Sequence, residues 1–235
     1  NVIGSNEKKE DGKNDKQPLT KLERNRMIAI ILVSALSVIF WLFYYQQDLA
    51  LVIYMTDYVK MSIGSFDIPP SWVTTTWNGL LCVVLGGVMA AIWKKLAERP
   101  QGDMNMFKKV ALAFGVMVVC ELVRGVGADA SVKASVFWPF LFVTVITIGE
   151  MCFSPLRNAF VSKYAPKKYL SLLMGVIAIS TFGANKLSPF VQAFIEKFDV
   201  FPVFVGITVI MLVFTALIFL ANKKLNSLVE GKEEA

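Results

Sequence analysis

The dominant pattern along the chain is a series of long apolar segments separated by short polar loops. An α-helix needs about 20 apolar residues to cross the roughly 30 Å hydrocarbon core of a bilayer. Six segments meet that length, and they cover residues 27–57, 69–93, 106–127, 136–162, 169–190 and 200–221. Lipid offers no hydrogen bonds to the backbone, and the segments lack the alternation of barrel strands. We therefore predict an all-α membrane protein with six transmembrane helices.

The first segment is longer than a bilayer requires. Its 31 residues would reach about 46 Å as a continuous helix, so we expect it to tilt, bend or project beyond the lipid. Residues 1–26 are polar and mixed in charge, which predicts a flexible linker before a bundle at 27–222. Residues 223–235 form a short polar tail.

Composition supports the membrane assignment and excludes several chemistries. Hydrophobic residues make up 55% of the 235 residues, and charged residues only 18%. The net charge of +6 comes from basic residues beside apolar runs rather than on one polar face, which argues against a nucleic-acid partner. There is no histidine, and the three cysteines lie in apolar stretches as small buried side chains. We predict no metal site, no cofactor and no enzymatic activity.

The distribution of basic residues predicts the orientation. Both tails and the loops on their side hold 19 lysines and arginines, a count that includes Lys109 and Arg157, against four in the remaining loops. By the positive-inside rule, both termini of this multi-pass membrane protein are expected to be cytoplasmic.

Glu150 is the most informative polar residue because it lies near the middle of the fourth segment. A carboxylate at that depth is either protonated or held ionised by a cation. It therefore binds a substrate ammonium or a transported proton, or it serves helix packing. Gly149, Ser154 and Pro155 favour function because they are expected to loosen the helix locally.

Other polar residues fall at a similar depth, which predicts a central binding cavity. The outer half of the first segment carries Tyr45, Gln46 and Asp48, and the second segment carries Asn78.

Three further positions have a structural and a functional interpretation. Glu121 and Arg124 stand three residues apart on one helix face, as a local ion pair or as substrate contacts. Lys186 either extends to the membrane surface or takes part in proton coupling. Asp57 is a solvated helix end or a partner in an outer gate.

Three ordered motifs give the chain a family resemblance. They are FWLFYYQQDLALVIY from Phe40, IPPSWVTTTWN from Ile68, and GEMCFSPLRNAFVSKYAPKKYLSLLMG from Gly149. The last is the most specific, and ANKLSPF follows it in the fifth segment. Together they resemble the proton-coupled oligopeptide transporters of the major facilitator fold, over that family's C-terminal six helices.

The resemblance implies a symporter that imports di- and tripeptides with protons and needs an N-terminal six-helix half. Glu150 then matches the carboxylate that receives the peptide amine, and Asn78 the asparagine that binds the peptide backbone. Gln46 matches the glutamine of the Phe-Glu-Gln motif, and Asp57 lies beside the acidic residue of the outer gate. By position, Ser154 joins the binding group, while Asp48, Glu121 and Lys186 are candidates for gating or proton coupling.

Three positions depart from the family pattern. Tyr45 replaces a glutamate linked to proton coupling, Ile177 a tryptophan of the pocket, and Gly79 a proline after Asn78. These departures leave two alternatives open: a membrane scaffold that does not transport, and a related transporter of another small solute.

Overall fold

The computed structural model describes residues 18–126, 133–198 and 200–231. In these ranges the chain forms seven α-helices, in the order α1 (Lys21–Tyr44), α2 (Ala50–Tyr58), α3 (Asn78–Ala97), α4 (Met106–Val126), α5 (Phe137–Tyr164), α6 (Leu170–Phe198) and α7 (Val200–Glu230). Four two-residue strands lie in the loops: β1 (Val59–Lys60), β2 (Ser62–Ile63), β3 (Phe66–Asp67) and β4 (Ala134–Ser135).

Helix α1 begins before the first apolar segment. The Thr20 side chain accepts from the Glu23 backbone N–H at 3.1 Å, and the Glu23 carboxylate accepts from the Thr20 N–H at 2.9 Å. This reciprocal capping box satisfies two backbone donors and sets the start of the helix. The helix thus takes in residues 21–26 of the predicted linker, and α7 likewise continues to Glu230.

The long first segment consists of two helices rather than one. Helix α1 ends at Tyr44, a 3-10 turn covers Tyr45–Gln47, and α2 starts at Ala50. The Asp48 N–H donates to the Tyr45 carbonyl at 3.2 Å, an i to i+3 bond that tightens the chain and ends the α-helical ladder. The expected bend is therefore present, and it lies next to the polar residues of this segment.

Short strands connect the helices at one end of the bundle. Strands β2 and β3 form an antiparallel hairpin whose turn contains Gly64 at φ 62°, in the left-handed region that glycine adopts without strain. Strand β1, which follows α2, pairs in parallel with β4, which precedes α5. The loops before α3 and before α5 therefore lie at the same end of the molecule.

The helices pack in neighbouring pairs. Helix α4 packs along both α5 and α7, α1 packs mainly on α6, and α3 packs on α5. At the α4–α5 contact, a Cβ added to Gly149 would lie 3.4 Å from Val116 Cγ1 and 3.6 Å from the Ala113 carbonyl. Gly149 thus permits a close approach of two helices, and α5 continues without a break through Pro155.

Five helical segments are long and apolar enough to cross a membrane: Lys21–Tyr44, Trp72–Ala97, Phe137–Tyr164, Lys167–Phe194 and Pro202–Glu230. Five of the six predicted spans are therefore confirmed as membrane-crossing candidates. Helix α4 has 21 residues, but it carries Lys108, Lys109, Glu121 and Arg124. Its crossing of the membrane stays a prediction.

Large apolar side chains are exposed along the outer faces of α3, α6 and α7. They include Val83 and Val84 on α3, Ile179 and Phe182 on α6, and Leu220 on α7. An apolar surface of this extent is typical of helices that face lipid or another bundle.

Candidate functional site

The candidate site is centred on Glu150, which is half-buried in the middle of α5. The Tyr44 hydroxyl, at the last residue of α1, donates to Glu150 Oε2 at 2.5 Å. The Cys82 sulfur on α3 lies 3.7 Å from the same oxygen. Three helices therefore meet at one carboxylate.

Asn78 joins this cluster from the first turn of α3. Its Nδ2 donates to the Thr147 hydroxyl at 2.9 Å and to the Tyr44 hydroxyl at 3.2 Å. Thr147 in turn donates to the Val143 carbonyl at 2.6 Å, one turn earlier in α5. The Tyr44 hydroxyl accepts from Asn78 and donates to Glu150, so two hydrogen bonds hold this one group in place.

The local sequence explains why Asn78 reaches α5. A π-helical turn covers Trp72–Trp77, so that α3 proper begins at Asn78. Trp77 Nε1 donates to the Thr144 hydroxyl at 3.1 Å, one turn before Thr147. Such π-helical turns inside helices occur frequently at functional sites. Two consecutive residues, Trp77 at the end of the π-helical turn and Asn78 at the start of α3, thus dock on two successive turns of α5.

Sequence reasoning correctly placed Glu150 and Asn78 near each other but left out the residues that connect them. Depth along the helices singles out neither Tyr44 nor Thr147 as a binding residue. Thr147 lies three residues before Glu150, on the same helix face, and this spacing could have identified it. Cys82, expected to be a small buried side chain, is half-buried and faces Glu150 and Asn78, whereas Cys120 and Cys152 are buried.

Gln46 lies in a different contact. Its Nε2 donates to the Ser188 hydroxyl on α6 and to the Leu42 carbonyl, both at 3.0 Å, and the side chain is only 1% exposed. Gln46 therefore links the end of α1 to α6 and makes no hydrogen bond to Glu150 or Asn78. Its predicted role in binding stays a prediction.

The other predicted binding residues, Tyr45, Ser154 and Ile177, differ in their relation to the cluster. The half-buried Tyr45 ring packs edge-on against Tyr44 at 6.0 Å between centroids. Ser154 is half-buried one turn after Glu150. Ile177 on α6 is 4% exposed, as an apolar side chain in the core. Among these three, Tyr45 touches the cluster directly.

The residues predicted for gating or proton coupling lie apart from Glu150. Asp48 and Asp57 are exposed, and Lys186 is exposed with its Nζ 5.5 Å from the Phe182 ring. Glu121 is buried in α4, and its predicted partner Arg124 lies outside the described side chains. Their roles stay predictions.

Two basic residues counted toward the cytoplasmic side, Lys109 and Arg157, have buried side chains, and the predicted orientation stays a prediction. Lys109 forms an ion pair with Asp103 at 2.7 Å and lies over the Trp93 ring at 4.8 Å. Arg157 is 6% exposed between α1, α5 and α6. Arg157 stands seven residues after Glu150, and that helical spacing is the signal by which it could have been found.

Comparison with known proteins shows which family of proteins this chain resembles over most of its length. Residues 10–219 match the family model PTR2, described as the POT family. An uncharacterized transporter of Bacillus subtilis, YclF, is 24% identical over 90% of this chain and 42% of its own length. The Yersinia enterocolitica peptide transporter YePEPT is 22% identical over 92% of this chain and 44% of its own.

Solved structures agree on the fold. The crystal structure of a peptide transporter POT in complex with sulfate superimposes with a TM-score of 0.80, at 22% identity, over 92% of this chain and 44% of that one. The chain therefore belongs to the POT family and has its membrane transporter fold. It spans a little over two fifths of the length of the relatives it matches.

The chemistry available at the site is recognition of a cation. Glu150 accepts hydrogen bonds from the neutral Tyr44 hydroxyl and the Cys82 thiol. Among the described residues, no lysine or arginine lies within ion-pair distance of it. A carboxylate oriented by neutral donors can take a proton or pair with an ammonium group.

Proposed function

We propose that this chain is the C-terminal half of a proton-coupled symporter for di- and tripeptides. It would act with an N-terminal six-helix half in the cytoplasmic membrane, with α4 as the sixth span and both termini in the cytoplasm. The observation that carries the proposal is the junction of Tyr44, Asn78 and Glu150 at the centre of the bundle.

The arrangement suits a peptide amine. Glu150 supplies the negative charge, and it is held by Tyr44 rather than neutralised by an internal cation. Asn78 carries an amide that can bind peptide groups, and its carbonyl oxygen makes one long contact, to the Cys82 sulfur at 3.8 Å. The names of relatives such as YePEPT, a peptide transporter, support this substrate class.

Proton coupling follows from family membership and from the chemistry of Glu150. A symporter carries proton and peptide in the same direction, so a proton that leaves Glu150 when it pairs with the peptide ammonium has to stay on another group of the complete protein. Tyr45, directly after α1, stands in place of the family's glutamate, which leaves Glu150 as the carboxylate of this cluster.

The proposed transport requires a second six-helix half because this chain supplies only one side of the binding site. Alternating access needs two bundles that rock around a site between them. The relatives are more than twice as long as the matched region, which is consistent with a second bundle in the functional protein.

The test is Glu150→Gln in the complete protein, reconstituted in liposomes. We expect peptide-driven proton uptake to be abolished, because glutamine keeps the shape but can neither carry a proton nor pair with an ammonium group. Glu98→Gln, at an exposed position after α3, is the matched control and should leave uptake unchanged. Unchanged uptake in Glu150→Gln would refute the assignment, and failure of the unaltered protein to bind labelled dipeptide would favour a scaffold instead.

A further inference from the structure

The exposed face of α6 differs from the exposed faces of α3 and α7 because it carries a charge. In α3 and α7 the chain has no charged residue over residues 78–93 and 203–221. Helix α6 instead places the exposed Lys186 in a row of apolar side chains at spacings of three and four residues. With Lys186, we call this row the α6 stripe, and its apolar members are all more than half exposed: Ile179, Phe182, Phe190 and Phe194.

The other side of α6 is the side that packs on this bundle. Its buried residues also recur at spacings of three and four, and they are Leu173, Ile177, Ser180, Ala184 and Ser188. Helix α6 packs mainly on α1. Lys186 precedes Ser188 by two residues, which is about 200° of helical rotation, so its side chain points away from α1.

The depth of Lys186 is close to that of the candidate site. Gln46 bonds to Ser188 at 3.0 Å, and it lies two residues after Tyr44, whose hydroxyl bonds to Glu150 in the middle of α5. Ser188, and Lys186 about 3 Å along the helix from it, are therefore near the middle of the bundle. Sixteen residues of α6 precede Lys186 and twelve follow it, about 24 and 18 Å of helix. A lysine stem of four carbons is much shorter than either distance.

The Lys186 ammonium has an aromatic contact within its own helix, where its Nζ lies 5.5 Å from the centroid of the Phe182 ring. Where the structure describes the chain, no carboxylate lies within ion-pair distance of it. A charged side chain at this depth is costly in lipid, and such residues almost always pair or face a water-filled cavity. One aromatic contact offsets only part of that cost. The α6 stripe therefore suits a protein surface with a negative charge better than it suits lipid.

We propose that the α6 stripe packs against the second bundle of the complete protein, and that a carboxylate of that bundle pairs with Lys186. This inference rests on the proposed function, which requires a second six-helix half. The relatives are more than twice as long as the matched region, which is consistent with a second bundle beside α6. The apolar members of the stripe would exclude water around the pair and so strengthen it. The pair would hold the two bundles together at the depth of the binding site.

The sign of a stability change distinguishes this surface from a lipid-facing one. Lys186→Met keeps an unbranched apolar stem and removes the charge. If Lys186 pairs with a carboxylate, the change leaves that carboxylate unpaired, and we expect the unfolding midpoint of the complete protein to fall by about 2–4 °C. If Lys186 faced lipid, removing its charge would raise the midpoint. An unchanged or higher midpoint overturns the proposal.

Lys197→Met is the matched control for this measurement. Lys197 is exposed near the end of the same helix, and its Nζ lies 5.4 Å from the Phe198 ring, so it has the same kind of aromatic contact. We expect its replacement to leave the midpoint unchanged. Lys186→Arg keeps the charge, so we expect it to retain most of the stability that Lys186→Met loses.

Cross-linking of the unaltered protein identifies the partner and needs no variant, so it decides the question if Lys186→Met does not fold. Dicyclohexylcarbodiimide enters membranes and activates a carboxylic acid. An amine in contact with that acid then forms an amide, and the carbodiimide leaves as its urea. After proteolysis, mass spectrometry should find Lys186 joined to an aspartate or glutamate of the second bundle. Recovery of Lys186 unlinked, or linked only within this chain, overturns the pairing whatever the midpoint shows.

The outcomes separate this inference from the proposed function. If Lys186 is unlinked while the complete protein takes up peptide in a manner that depends on Glu150, the proposed function stands and the α6 stripe faces lipid. If Lys186 is linked to the second bundle but the protein binds no labelled dipeptide, the contact surface stands and the transport proposal fails.

Discussion

The hydroxyl of Tyr44 donates a hydrogen bond to the carboxylate of Glu150, which joins the last residue of α1 to the middle of α5. The α-helix ends directly after Tyr44, where the 3-10 turn begins. The position of the carboxylate and the geometry of the helix break are therefore linked through one side chain.

Replacing Tyr44 by phenylalanine tests that link. The change removes the donor to Glu150 and one acceptor of Asn78, while the ring is kept. Hydrogen bonds to charged groups contribute about 1.5–3 kcal/mol, so we expect peptide affinity to fall about tenfold or more. Tyr45→Phe is the control, since the ring contacts of Tyr45 remain and its hydroxyl bonds neither Glu150 nor Asn78. Binding of a labelled dipeptide to detergent-solubilised protein measures both, and equal losses in the two variants would contradict the assigned role.

Thr147→Val tests the support of Asn78. Valine has nearly the same shape, but the Asn78 amide loses its 2.9 Å acceptor. We expect a loss of stability of about 1 kcal/mol, because the half-buried Asn78 amide loses one of its two hydrogen bonds. Thr215→Val is the matched control, since the Thr215 hydroxyl bonds back to the Met211 carbonyl of its own helix. Thermal unfolding in detergent should separate the two, and identical midpoints would show that Asn78 does not depend on Thr147.

Gly149→Leu tests the close approach of α4 and α5. A Cβ there already lies 3.4 Å from Val116, so a larger side chain must push the helices apart. Overpacking of this kind costs about 1–3 kcal/mol, and the displacement also moves the neighbouring Glu150. At Gly87 on α3 an added Cβ meets nothing within 4 Å, so Gly87→Leu should be tolerated. The readout is the folded fraction by size-exclusion chromatography in detergent, where similar profiles for both variants would disprove the close-packing argument.

Ser188→Ala tests the connection between the end of α1 and α6. It removes the 3.0 Å partner of Gln46, whose amide nitrogen keeps its bond to the Leu42 carbonyl. We expect a loss of about 1 kcal/mol in unfolding free energy, typical of one hydrogen bond. Ser227→Ala, whose hydroxyl bonds within the exposed end of α7, should cost less. An equal loss in the two variants would argue that Gln46 does not hold α6.

Apolar length was enough to predict most of the helices, because the bilayer fixes how long a spanning segment must be. The break after Tyr44 could not be located in this way, since the apolar pattern continues on both sides of it. Helix α4 shows another limit of apolar length as a criterion. It packs on α5 and α7, yet it carries charged residues that weaken its apolar signal.

At the site, depth along each helix brought Glu150 and Asn78 together correctly. Depth does not give rotation about the helix axis, so it could not show that Gln46 faces Ser188 or that Tyr44 faces Glu150. The burial of Arg157 could not be predicted for a related reason, because depth does not show that Ser37 and Thr181 on two neighbouring helices enclose its side chain.

The apolar outer faces of α3, α6 and α7 have a practical consequence for handling the chain. Side chains such as Val83 and Leu220, exposed by 81% and 79%, have no favourable contact with water. Purified protein should carry a belt of bound detergent around these helices, and dilution below the micelle concentration should precipitate it.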